Sequence, residues 1–146
     1  MSTEDQGSTD ADVGEGRSGL VFHAAHFPGR PPIDAYGGGG FRFSGASHRG
    51  ALLCVPTGVY AWNVDLETLY APTSMERILN EAAQIEVLLL GTGDNLVPIP
   101  ADLRTLFREH GIMADPMATG PAVRTYNVLL SEGRPVAAGF LPVATA

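Results

Sequence analysis

The chain has no lysine, a single cysteine and no long apolar run. Without lysine, Schiff-base chemistry and the lysine of a phosphate-binding loop are both excluded. The lone Cys54 rules out an internal disulfide and a multi-thiolate zinc site within one chain. No stretch reaches the roughly 18 consecutive apolar residues of a membrane helix, so no membrane span is expected. All nine basic residues are arginines, scattered from Arg17 to Arg134 without a basic run or an interleaved aromatic platform. That distribution argues against a nucleic-acid partner, whose phosphates call for a concentrated positive patch. The opening residues show neither the charged and apolar regions of a secretion signal nor the arginines of a transit peptide, which makes the cytoplasm the expected compartment.

What is present points to one domain. The chain has 146 residues, 45% of them hydrophobic, which suffices for a single core. Its formal charge of −7 is concentrated at one end, because the first sixteen residues hold Glu4, Asp5, Asp10, Asp12 and Glu15 and no base. The remainder is nearly balanced. With no aromatics and no apolar period, this segment buries too little surface to offset the entropy of ordering. Residues 1–22 are therefore expected as a disordered acidic tail and residues 23–146 as the folded domain.

Strand signals dominate the first half. Phe27-Pro28-Gly29-Arg30-Pro31-Pro32 is a stiff extended lead-in, since proline fixes φ and forbids helix. Ile33 to Tyr36, four glycines and Phe41-Arg42-Phe43 read as two strands across a tight turn. Residues 51–55, the turn Pro56-Thr57-Gly58 and residues 59–62 read as a second hairpin. The period then changes. Thr73 and Glu76 match a capping box, with Met75, Ile78, Leu79 and Ala82 on one helical face. Residues 85–90 read as a strand buried on both faces. Leu103, Leu106 and Phe107 mark a helix from Pro100 to Gly111, followed by a short strand over 112–114. Ala122, Val123, Tyr126, Leu129 and Leu130 mark a third helix, opened by Thr119-Gly120-Pro121 and closed by Gly133. Residues 135–141 complete the set as a strand. The alternation predicts an α/β fold with helices on both faces of the sheet.

In such folds ligands bind outside the carboxyl ends of parallel strands. Two loops should meet there: Gly91-Thr92-Gly93-Asp94 and the turn through Met117 and Ala118 into Thr119-Gly120. The glycines permit close backbone approach, the threonines supply hydroxyls, and the helix start offers free N–H groups to an anion. Arg124, one turn inside the helix, adds a charge, and Asn127 lies partly on the inward face. A structural alternative stands beside this one. The glycines then only turn the chain, Thr119 only caps the helix, Arg124 pairs with a neighbouring acid, and Asn127 ties the helix to the sheet or to the site. Asp94 opposes an anion unless it caps backbone donors or contacts sugar hydroxyls. The loop matches no nucleotide fingerprint, and no cofactor is expected.

Other groups carry weaker signals. Ser47-His48 reads as a solvated Gly-rich turn rather than a catalytic pair. His23 and His26 lack a third metal ligand, so no metal is expected. His110 closes a helix, and Cys54 reads as a buried, inert thiol. Tyr60 and Trp62 are either core or an exposed patch for a partner.

The segments LLLGTGDN, LRTLFREHGI and ATGPAVRTYNVLLSEGRPVAAGFLPV, with IDAYGGGGFRFSG and GALLCVPTGVYAWN before them, resemble a domain-of-unknown-function family with archaeal, bacterial and mitochondrial members. Its eukaryotic relatives include a mitochondrial respiratory complex I assembly factor and an adipogenesis-associated protein. The likeness runs from about Pro31 to Val143. It implies a three-layer α/β/α domain around a mixed sheet, and no established enzymatic activity. Two functions are thus expected as alternatives: a non-catalytic interaction or assembly module with a protein partner or a second copy, or a binder or enzyme of a small anionic ligand at the two loops.

Overall fold

The structure, a computed structural model, describes residues 29–144 and the backbone of two short strands, β1 (Leu20–Val21) and β2 (His26–Phe27). The five acids expected in the tail, and His23, lie outside the described residues. β1 falls within the expected tail and pairs in parallel with the strand at Ala46 and Ser47.

The four glycines make a type I′ turn. Strands β3 (Ala35–Gly37) and β4 (Gly40–Phe43) flank Gly38 and Gly39, whose φ values of 60° and 82° give the positive φ that this turn requires at both central positions. A second turn of the same kind corrects the reading of Ser47-His48. Ser44 (φ 50°) and Gly45 (φ 77°) reverse the chain, so Ala46–Arg49 becomes strand β5 rather than a turn. Asp34 Oδ2 accepts a hydrogen bond from Ser44 N at 3.2 Å, which helps hold a non-glycine residue in this conformation. The order β1-β5-β4-β3 makes a small sheet of its own.

The main sheet is mixed. The hairpin β6 (Leu52–Val55) and β7 (Gly58–Ala61) turns at Pro56 and Thr57 as expected. The later strands are β8 (Val87–Gly91), β9 (Met113–Met117) and β10 (Val136–Phe140). Five strands run in the order β7-β6-β10-β8-β9, with β2 on the β7 edge. β10 is antiparallel to β6 and parallel to β8, and β8 is parallel to β9. β9 is longer than expected. It contains Pro116, which an edge strand tolerates because one row of its N–H positions has no partner.

Helices cover both faces. On one face lie α1 (Glu76–Asn80) and α2 (Ala101–Glu109), which bury Met75, Ile78, Leu103 and Phe107 against Leu88 and Leu90. The opposite face carries α3 (Thr119–Ser131) and the small sheet, with Tyr126, Phe41 and Phe43 around Leu89, Ala138 and Phe140. This is the three-layer α/β/α arrangement, with the small sheet sharing one outer layer. The capping box is not formed. Pro72 opens a 3-10 turn over Pro72–Met75 whose cap makes no side-chain hydrogen bond, and Thr73 is exposed. The apolar face read from the sequence is nevertheless the buried one.

Close packing at the centre depends on Gly139. A Cβ there would stand 2.5 Å from Trp62 Cζ3 and 2.6 Å from Cη2. The indole cannot easily swing aside, because its Nε1 donates to Ser74 O at 3.0 Å. Gly139→Ala is expected to destabilise the fold by about 3 kcal/mol through overpacking, read as a lower urea midpoint. An unchanged midpoint would show that the ring has room to move.

Candidate functional site

The two loops predicted from the sequence do meet. Thr92 N donates to Met117 O at 2.8 Å, and Thr119 N donates to Gly93 O at 2.8 Å. Gly91 sits at a close approach, where a Cβ would lie 3.0 Å from Phe140 Cδ1 and 3.1 Å from Thr119 Cα and a neighbour would have to give way. Gly93 has φ 93°, a conformation that glycine adopts without strain.

Both threonine hydroxyls point into the protein. Thr119, fully buried, donates from Oγ1 to Leu141 O at 2.7 Å and accepts from Gly93 N at 2.9 Å. It is the first residue of α3, not its cap; the cap is Ala118, without a side-chain bond. Thr92 Oγ1 donates to Asn95 O and accepts from Val97 N at 2.9 Å. Asp94 is exposed.

Asn127 acts as a latch away from these loops. Its Oδ1 accepts from Ile33 N and its Nδ2 donates to Ile33 O, each at 2.9 Å, tying α3 to the chain before β3. Gly120 and Arg124 lie on the outer side. A Cβ on Gly120 would be 2.5 Å from Tyr36 Oη and 3.6 Å from an Arg124 guanidinium nitrogen, so these two polar groups converge over the start of α3.

Among the described residues, cavities open elsewhere, three of which are well formed. One of about 390 Å³ opens on the small sheet beside Gly37, Gly40, Arg42, Ser47 and Arg49. A second, about 460 Å³, lies beside Trp62, Glu76, Arg77 and Glu81. The third, about 390 Å³, runs between α2 and β9 along Arg104, Arg108 and Met113. The sequence reading missed the first because it took Ser47 for a turn residue; Arg42, Ser47 and Arg49 at alternate strand positions were the available signal. It missed the third because nothing local marks Met113 as an edge residue.

The remaining candidates are structural. Trp62 and Val59 are buried, and Tyr60 is half-buried beneath the Arg77 guanidinium, 3.8 Å from its ring centre. His110 closes α2, with Nδ1 2.9 Å from Leu106 O, and His48 Nε2 lies 3.0 Å from Ala51 O. Burial pushes the Cys54 thiol from its ordinary 9.0 up to about 12, as expected for an inert core thiol. Tyr126, beside it, is also raised, chiefly by burial, and among the described residues its hydroxyl has no hydrogen-bond partner of good geometry. Among the described residues no three His, Cys, Asp or Glu side chains are grouped to hold a metal.

A family model described as a protein of unknown function, DUF498/DUF598, matches residues 33–141. The chain belongs to this family. An uncharacterized protein from Rhodobacter capsulatus is 43% identical over 117 residues, covering 80% of this chain and 89% of that one. The human NADH dehydrogenase [ubiquinone] 1 alpha subcomplex assembly factor 3 is 29% identical over 110 residues, or 75% of this chain. The chain spans 60% of that assembly factor's length. Among solved structures, an outer membrane protein from Bartonella henselae superposes with a TM-score of 0.77 at 51% identity, covering 81% of this chain and 99% of that one. A Bordetella pertussis Mth938-like domain, at 24% identity and a TM-score of 0.68 over 79% and 88% of the two chains, shares this fold.

Two outcomes follow from this geometry. Thr119→Val removes both partners of a buried amide and a buried carbonyl, and is expected to cost about 3 kcal/mol in urea denaturation, with Thr119→Ser recovering most of it. Equal losses for both variants would mean that the hydroxyl bonds contribute little. The second concerns alkaline pH. Above about 9 the unfolded thiol of Cys54 loses its proton while the native thiol keeps it, so stability is full below that pH and falls above it. The fall approaches about 1.4 kcal/mol per pH unit from this group, and Cys54→Ala should flatten the slope by that amount. Identical slopes for wild type and variant would contradict the assignment.

Proposed function

We propose that this protein is a non-catalytic interaction or assembly module that docks a partner through the surface around Met113. The carrying observation is Met113 itself, a large apolar side chain 70% exposed on edge strand β9, with Arg104 and Arg108 of α2 along the adjoining cavity. An adaptable thioether rimmed by two guanidinium groups suits a partner surface with an apolar contact and acidic neighbours. Strand addition is poorly served. Met113 N donates to Glu86 O, so the N–H positions facing away from β8 are those of Ala114 and Pro116, and proline has none. Recognition then falls to side chains. Relatives named as complex I assembly factors support a role carried out through protein partners. The partner is another polypeptide or a second copy of the chain. A cytoplasmic setting belongs to this reading and rests on the single, buried cysteine; imaging a tagged full-length chain tests it.

One observation favours a second reading, in which a small anionic ligand sits at the start of α3. Tyr36 Oη and the Arg124 guanidinium converge on Gly120, where helix N–H groups favour negative charge. The loop of Gly91, Thr92, Gly93 and Asp94, with Thr119, would then position that helix start, and Asn127 would hold the helix in place. Thermal-shift screening of nucleotides, acyl phosphates and carboxylates, with Arg124→Ala as control, decides this reading. No hit, or hits indifferent to the substitution, would end it.

The docking reading predicts that Met113→Glu lowers partner capture or self-association of the full chain at least about tenfold while the circular dichroism spectrum is unchanged. A wild-type chain that is strictly monomeric and captures nothing, or a Met113→Glu chain that binds as before, would overturn it.

A further inference from the structure

We propose a separate oxyanion site on the outer face of the small sheet, where Arg42 and Arg49 hold a phosphate-type group over a floor of glycines. Strand pairing places the groups together. Arg42 lies opposite Ser47, and Gly40 opposite Arg49. By alternation all four share one face, while Phe41 and Phe43 point into the core on the other. Arg42 and Arg49 are therefore diagonal neighbours, with Cα atoms roughly 7–8 Å apart. Both are exposed, and no described acidic residue pairs with either.

Three features distinguish this from two arginines on an ordinary solvated face. The face is concave, because Gly37 and Gly40 have no side chains and a cavity of about 390 Å³ opens over them. Gly40 cannot be replaced easily, since a Cβ would lie 2.4 Å from His48 O. Arg49 is held in place: its Nη1 donates to Gly38 O at 3.2 Å and lies 3.3 Å from where a Cβ of Gly39 would be. One donor is thus anchored to the turn while the rest of the guanidinium fork is available. The nearest acid in sequence, Asp34, directs Oδ2 to Ser44 N. Two like charges at diagonal positions repel, and an anion between them relieves that repulsion.

The donor set favours a phosphate over a simple carboxylate. Two guanidinium groups and the Ser47 hydroxyl share this face beside the cavity, a donor set suited to an oxyanion with three or more acceptor oxygens. The group can belong to a soluble phosphomonoester or to a lipid headgroup, and the chemistry of recognition is the same. The site differs from the start of α3, which faces Tyr36 on the inner side of the small sheet, and from the Met113 surface.

The test uses the full-length chain, titrated with inorganic phosphate at constant ionic strength and followed by amide NMR shifts. Saturable shifts at Gly37, Gly40, Ser47 and Arg49 are expected. Arg42→Gln and Arg49→Gln should each weaken them at least about tenfold, whereas Arg124→Gln leaves them unchanged. In a parallel arm, phosphatidate vesicles and phosphatidylcholine vesicles are sedimented with the same proteins. Phosphatidate-dependent binding that requires both arginines, without a response to free phosphate, assigns the group to a lipid. No saturation in either arm, or saturation that survives both substitutions, would overturn the site. An effect of Arg124→Gln equal to that of the pair would move the anion to α3.

Discussion

β10 hydrogen-bonds to β6 on one side and to β8 on the other, so among the described residues this strand joins the antiparallel and parallel halves of the main sheet. All five of its residues are buried. Three of them, Ala137, Ala138 and Gly139, are small, which lets the Trp62 ring pack directly against the backbone at Gly139. A strand that must be covered on both faces and paired on both edges tolerates little change in volume.

The same strand governs what happens at the carboxyl ends of β8 and β9. As the chain leaves β10, Leu141 N donates to Gly91 O at 2.8 Å and Leu141 O accepts from Thr119. The loops after β8 and β9 are thereby drawn together, and their polar groups are satisfied by one another. Buried hydroxyls with good internal partners resist being turned toward a ligand, because the groups they leave would be unpaired in a low-dielectric interior. The exposed chemistry is displaced to the rim: Tyr36 and Arg124 over α3, Met113 and the α2 arginines at the β9 edge, and the arginine pair on the small sheet.

Much of the fold was legible in the sequence where local physics decides. The glycine turn required positive φ at both centres, which almost any other pair of residues would resist. α2 and α3 carried apolar spacing, a proline near each start and a glycine beyond each end. Elsewhere local signals misled. Ser44 gave no hint that it would take a positive φ, so β5 was hidden within a presumed turn, and the Arg42–Arg49 face with it. Thr73 and Glu76 had the spacing of a capping box, yet Pro72 initiated a tighter turn first. Thr92 and Thr119 were found as a pair, but the direction of their hydroxyls depends on Leu141 and Asn95, and no window around either threonine contains both.

The sequence by itself determined the α/β class, the position of α2 and α3, both early hairpins and the inert character of Cys54, because these follow from periodicity, turn stereochemistry and burial of short segments. Only the tertiary structure decided that β10 is central, that β9 is the edge, and that the clasp at Thr119 faces inward. The reason is that strand order and hydroxyl direction arise from pairings between residues far apart in the chain, and such pairings leave no periodic trace in either partner alone.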